Sequence, residues 1–191
     1  MKKYKFKTIS QRTRALLNRS EDRDVEFKRQ LNGLAAEDIV AFANSEEGGV
    51  VFIGVAESSD PGEVQRVEVV GCDVSDKEKQ IVLSKAQSCL PPVKLELYVE
   101  NTEGKPFFRI EIPSGQDKPY CTAGGTYKVR GDGRTNALYP RQLLQMFMDS
   151  ESDRFLRRFR EATRELDEEI KALKARIAEG IESALRSGNN Q

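Results

Sequence analysis

The feature that most restricts this chain is an abrupt loss of helix breakers. There is no proline after Pro140, and no glycine between Gly133 and Gly180. Proline removes a backbone donor and clashes with the preceding turn, and glycine costs a helix about 1 kcal/mol relative to alanine. A stretch free of both reads as one long helix. Along it, apolar residues fall at heptad a positions Leu156, Ile170 and Ile177, with Thr163 the polar exception. The d positions are Phe159, Leu166 and Leu173, followed by Gly180. Ile at a with Leu at d favours a parallel two-stranded coil. The charged flanks (RELDEEIKALKAR) support that reading, and with it a homodimer joined through the coil. The same stripe would serve a long amphipathic helix folded back on its own domain.

All seven prolines lie at or before Pro140, which makes residues 1–148 a different kind of sequence, with short elements punctuated by turns. At 191 residues and 21.5 kDa the chain suits one domain plus an appendage. The divisions expected are a domain at 1–148, a coiled-coil helix at 149–187 and a disordered tail at 188–191. Residues 10–18 read as a short helix with Ser10 as N-cap, and Asp24–Lys28 alternates as a strand. Residues 34–43 place Leu34, Ile39, Phe42 and Ala43 near one helix face. The run VVFIGV (50–55) after Gly48-Gly49 is a buried strand, with 64–70 expected to pair beside it. A helix over 76–89 is halted by Pro91-Pro92. Residues 93–100 and 106–112 form a hairpin around NTEG, 126–130 is a last strand, and 141–148 begins a helix. The fold class is therefore α+β: a mixed β-sheet with flanking helices, followed by the coiled-coil helix.

Histidine is absent. That removes Ser-His-Asp and Cys-His catalysis and His-ligated zinc, leaving carboxylates, lysine, tyrosine or cysteine for any acid–base or metal chemistry. Cys72, Cys89 and Cys121 are widely spaced and odd in number, which excludes a CxxC zinc site and fits a reducing, cytoplasmic setting. Cys121 reads as a buried thiol rather than a nucleophile. No GxxxxGK[ST] is present, so no ATP site is expected. No run is long and apolar enough for a membrane span, and the basic N-terminus lacks the apolar core of a secretory signal.

Lys plus Arg and Asp plus Glu balance at 31 each, but the charges are segregated. Residues 1–20 carry seven basic side chains and no acidic one; residues 31–104 carry 14 acidic against 5 basic; residues 105–147 carry 7 basic against 3 acidic. The two basic segments are candidates to share a phosphate-tracking face. Within SEDRDVEFK, strand alternation puts Glu26 and Lys28 on one face and Val25 and Phe27 on the other. Glu21 lies upstream and Glu57 directly after VVFIGV. If they converge, three carboxylates form a hard oxygen site for Mg²⁺ or Mn²⁺; otherwise they are solvated charges. Lys28 and Arg29 flank Glu26, Arg130 and Arg134 sit among glycines in KVRGDGRTN, and Arg12, Arg14 and Arg19 would make a basic helix face. With no tryptophan and little aromatic interleaving, backbone and shape reading fits better than base stacking.

The pieces VEFKRQ, AFANSEEGGVVFIGVAE, the PP break and TYKVRGDGRTNAL occur in the order found in the Schlafen-type AlbA-like domain, which this chain resembles over residues ~18 to 148. That domain is often described as DNA-binding and forms the core lobe of Schlafen proteins. The resemblance implies a metal-dependent endoribonuclease acting on structured RNA such as tRNA or rRNA, using Mg²⁺ or Mn²⁺ and no zinc. Two glutamates in an ExxxxEFK pattern carry over onto Glu21 and Glu26. The third position, an Asp in the family, falls on Glu57 in GVAE, one methylene longer. The alternative is a catalytically inactive DNA- or RNA-binding protein such as a transcriptional regulator. Structured RNA is the preferred partner, with DNA second.

Overall fold

The computed structural model describes residues 4–18, 24–58 and 66–188, with the side chains of the last helix through Glu179. Contacts divide the chain into two units, Met1–Phe147 and Met148–Gln191. The first is built on a five-stranded mixed sheet of order β1-β6-β7-β3-β2, comprising β1 (Tyr4–Lys5), β2 (Val25–Lys28), β3 (Gly48–Ile53), β6 (Glu96–Glu100) and β7 (Phe107–Pro113). Strand β2 runs parallel to β3 at one edge, with Glu26 opposite Val51, and β6 and β7 form the expected antiparallel hairpin. Two further hairpins, β4–β5 (Val55–Ser58, Arg66–Val69) and β8–β9 (Lys128–Gly131, Arg134–Ala137), stand outside this sheet. The helices are α1 (Gln11–Leu17), α2 (Ala36–Asn44), α3 (Asp76–Gln87) and α4 (Pro140–Gly188).

Each face of the sheet carries its own core, because the strands alternate. Val51, Ile53, Leu97, Val99, Phe108, Ile110 and Ile112 turn toward α2 and α3, meeting Ile39, Phe42, Val82 and Ala86. Val25, Phe27, Val50, Phe52 and Phe107 turn the other way, where Leu16 and Leu17 of α1 and Val67 and Val69 of β5 cover them. That second face also buries charge. Glu100 is fully buried and accepts from Ser10 N (2.8 Å), Ser10 Oγ (2.8 Å), Thr13 Oγ1 (2.6 Å) and Arg109 Nε (2.9 Å). Arg109 also stacks over Tyr98 and pairs with Glu111, which in turn meets Arg12 Nε at 3.0 Å. The N-cap of α1, Ser10 as expected, is thereby the point at which α1 is tied to the sheet.

Two expectations need correction. The run 50–55 is not one strand: Gly54, at φ +96°, ends β3 and begins β4 in a separate hairpin. Its N–H still donates to Lys28 O and its carbonyl accepts from Val70 and Gly71, so β5 pairs with β4 rather than with the buried strand. The strand expected at 126–130 is not the last one. Asp132 and Gly133 have φ of 51° and 70°, a two-residue turn that returns the chain as β9. The N-terminal arm joins the sheet, with Tyr4–Lys5 pairing parallel with β6.

Candidate nucleic-acid interface

A charged junction forms where the edge strand β2, helix α2 and the β8–β9 hairpin meet. On β2, Val25 and Phe27 enter the second core, so Glu26 and Lys28 face α2. Glu26 Oε1 lies 2.7 Å from Lys28 Nζ, and its Oε2 lies 2.5 Å from Arg130 Nη2, reaching in from β8. Lys28 Nζ is also 3.9 Å from Asp38 Oδ2 on α2, and Thr135 Oγ1 on β9 donates to Asp38 Oδ1 at 3.5 Å. Arg130 is buried, donates to Val25 O (3.3 Å) and sits over the Phe42 ring, 5.0 Å from its centroid. Lys128 Nζ approaches Glu37 at 3.7 Å. The contacts of Lys128, Arg130 and Thr135 pin the hairpin to the body of the domain.

Asn44, the last residue of α2, completes the attachment. Its side-chain amide donates to Tyr120 O and Lys128 O, both at 2.8 Å, and its carbonyl accepts from Tyr120 N at 2.7 Å. Close packing after α2 then requires glycine: a Cβ on Gly49 would lie 2.3 Å from the Phe42 ring, and one on Gly48, at φ +77°, would lie 2.3 Å from Ile112 O. The pieces AFAN and GG are thus parts of one device that seats α2 and starts β3.

The structure sorts the expected phosphate contacts. Arg130, expected on a phosphate-facing surface, is instead a buried strut, because Glu26 and the Phe42 ring hold it inside. Lys28 is half-buried between two carboxylates. Arg29 and Arg134 are exposed. They are chain neighbours of Lys28 and Thr135, which converge on Asp38, so both backbone positions lie next to one junction. Arg14 is exposed on α1, Arg12 is engaged with Glu111, and Arg19 lies outside the described residues. A cleft of about 900 Å³ opens where β3 begins and β7 ends, but its charged lining is Asp24, Glu47, Glu96 and Glu111 against Arg12 and Lys94. That acidic excess repels phosphate.

The expected carboxylate trio is not brought together by the described residues. Glu21 lies outside them. Glu26 faces α2, whereas Glu57, opposite Val67, shares its face of β4 with Val55, which is buried in the other core. Among the described residues no group of three such side chains is placed to hold a metal ion. A divalent cation at Glu26 would meet Lys28 and Arg130, each already within 2.7 Å of the carboxylate. As arranged, Glu26 does not fit the role of a metal ligand.

Sequence reasoning missed Asn44, Asp38 and Thr135. An available signal was the alternation on both sides of Asp132-Gly133, which marks a two-residue hairpin and not only a glycine-rich phosphate loop. Cys121 is buried, as expected, and so is Cys89. Burial pushes the Cys72 and Cys89 thiols up to about 11. Their thiolate fractions near pH 8 therefore fall by a factor of about 100 from the unfolded value, and native labelling by a disulfide reagent should be slow. Because folding raises these pKa values, their contribution to stability is lost as pH climbs from about 9 toward 11. Rapid native labelling of both thiols at pH 8 would contradict this.

The family model described as "Schlafen, AlbA_2" matches residues 21–139. The chain belongs to the Schlafen AlbA_2 family. Membership in it suggests nucleic-acid binding. The matched span contains β2, α2 and the β8–β9 hairpin, so the junction around Glu26 and Arg130 lies within the AlbA_2 domain. Among solved structures, the N-terminal domain of a protein described as a RecG-related ATP-dependent DNA helicase from Nitrosomonas europaea is similar in fold. Its TM-score is 0.50 at 20% identity, over 65% of this chain and 86% of that one. The DIP2311 protein from Corynebacterium diphtheriae aligns at TM-score 0.44 and 13% identity, over 61% of this chain and 22% of that one. No curated protein matches the chain. Among the described residues no helix is long and apolar enough to cross a membrane.

Proposed function

We propose that the AlbA_2 domain is a nucleic-acid-binding module that reads backbone and shape, with structured RNA ahead of duplex DNA. The observation that carries this reading is the use made of Glu26. One of its oxygens holds Arg130 of the β8–β9 hairpin and the other holds Lys28 of its own strand, leaving Arg134 exposed on a hairpin anchored from beneath and Arg29 exposed next to Lys28 in the chain. A pre-anchored arginine loses less freedom on meeting a phosphate than one on a free loop. The metal-dependent endoribonuclease is the second reading; it rests on the resemblance and would require Glu26 to leave Lys28 and Arg130.

The test is binding of fluorescent tRNA and of duplex DNA across a salt series, with cleavage followed in Mn²⁺, Mg²⁺ or EDTA. Affinity should fall steeply with salt, by a log–log slope of about −0.9 per duplex phosphate contacted. Arg134→Ala should weaken binding on every sequence and make the slope shallower by about one, and Arg29→Ala should do the same. Intact RNA under all metal conditions is the expected outcome. Metal-dependent cleavage that disappears in Glu57→Gln would replace the binding reading with the endoribonuclease. Salt-insensitive affinity, or none, would remove both.

A further inference from the structure

The helical unit from Met148 onward carries an apolar stripe that the Proposed function does not use. Leu156, Phe159, Leu166, Ile170, Leu173 and Ile177 are 44–60% exposed. Helices of this length owe most of their stability to packing of an apolar face, not to intrinsic propensity. We propose that the occupant of this stripe is a second copy of the same chain, lying parallel and in register from Leu156 to Ile177.

The repeat and its flanks argue for that occupant. A stripe with period 3.5 is complementary to itself, each a and d side chain entering the space between four residues of its copy. In the parallel arrangement g positions face e positions of the other helix five residues on. This sets Glu169 against Lys174 twice, once on each side, and sets Phe155 against Arg160, a cation over an aromatic ring. Phe155 is 67% exposed and already stacked on Phe159 at 6.2 Å, so its ring is held beside the seam. The antiparallel arrangement that overlaps the whole stripe puts Asp167 against Asp167, Glu169 against Glu169 and Arg160 against Lys174. Sliding the antiparallel pair by one heptad relieves these repulsions, but in one direction it sets Ile177 against Ser152 and in the other it leaves Leu156 and Phe159 outside the stripe of the partner. Only the parallel form both covers the stripe and pairs its charges. Thr163 then meets its own counterpart at the centre of the seam, where a polar a residue penalises slipped registers. Its hydroxyl donates to Phe159 O at 2.8 Å within its own helix, so it leaves no unsatisfied donor there.

The geometry gives a covalent readout. In the full-length Thr163→Cys variant, oxidation should join two chains through residue 163, because a positions face each other in register only in a parallel pair. The expected product is a disulfide-linked dimer on a non-reducing gel, reversed by reductant and missing from the oxidised wild type. Sedimentation equilibrium without nucleic acid gives a second readout, distinct from the binding assay. Glu169→Lys and Lys174→Glu should each raise the dimer dissociation constant roughly tenfold, and mixing the two should restore it by forming the heterodimer. A wild-type monomer at ~100 μM, a larger oligomer, a Thr163→Cys dimer that fails to cross-link, or a mixture no tighter than the single variants would each overturn the proposal.

Discussion

Glu100→Ala is expected to lower the unfolding midpoint by on the order of 10 °C. The carboxylate is fully buried and receives four bonds, two from Ser10, one from Thr13 and one from Arg109. Truncation leaves the Arg109 guanidinium, 4% exposed, with Glu111 and the Tyr98 ring but without its most buried partner. Breaking a buried pair by removing one side costs about 3 kcal/mol or more, and about 2–4 °C accompany each kcal/mol in a chain of this size. The bonds that tie Ser10 and Thr13 to the sheet go with it, so amide exchange should rise across α1 ahead of the rest of the domain. A Glu100→Leu, Arg109→Leu double variant should recover part of the loss, because no charge is then stranded. Thermal unfolding of the three proteins decides the matter; a single-variant loss below about 1 kcal/mol would show that Glu100 is not the tie between α1 and the sheet.

The second large effect is expected at Asn44. Asn44→Ala leaves Tyr120 N–H, Tyr120 C=O and Lys128 C=O without their partner in a buried place. An unsatisfied buried group costs about 1–3 kcal/mol, so the total is about 4 kcal/mol once relaxation is allowed for. The loss should be local before it is global. Strand β8 is held to α2 through Lys128 O, so the β8–β9 hairpin should exchange its amides faster than β3 and β7 do. Asn44→Asp keeps the acceptor for Tyr120 N but loses both donors, and should resemble alanine rather than wild type. Denaturant unfolding with an unchanged slope and a lower midpoint would confirm a folded-state effect. Uniform exchange protection in the hairpin of Asn44→Ala would exclude the anchoring role.

The legible parts of this fold are those in which local chemistry and tertiary contacts agree. Ser10 caps α1 because a serine hydroxyl is the right length to meet the N–H three residues on, here Thr13 N at 3.2 Å. The β6–β7 hairpin and the alternation of Val25-Glu26-Phe27-Lys28 follow from period-2 patterning with one apolar face. The 50–55 run misled for an equally local reason: hydrophobicity is continuous across Gly54, and only its positive φ separates β3 from β4. Phosphate contacts were harder still. Arg130 and Arg134 stand four residues apart in one glycine-rich motif, yet one is buried against Glu26 and the other is exposed.

From sequence alone came the division between a punctuated α+β region and a breaker-free helix, the heptad stripe, the exclusion of histidine chemistry and the resemblance that the family match bears out. These depend on composition, period and order, which are properties of neighbours along the chain. Tertiary structure decided that Glu26 faces Arg130 across 104 positions of sequence, that Glu57 turns toward the other core, and that Asn44 joins α2 to the hairpin. The physical reason is that a charged side chain is assigned by what approaches it. Glu26 reads as a metal ligand when only its flanking residues are known, and becomes the anchor of a hairpin once β8 brings a buried cation to within 2.5 Å.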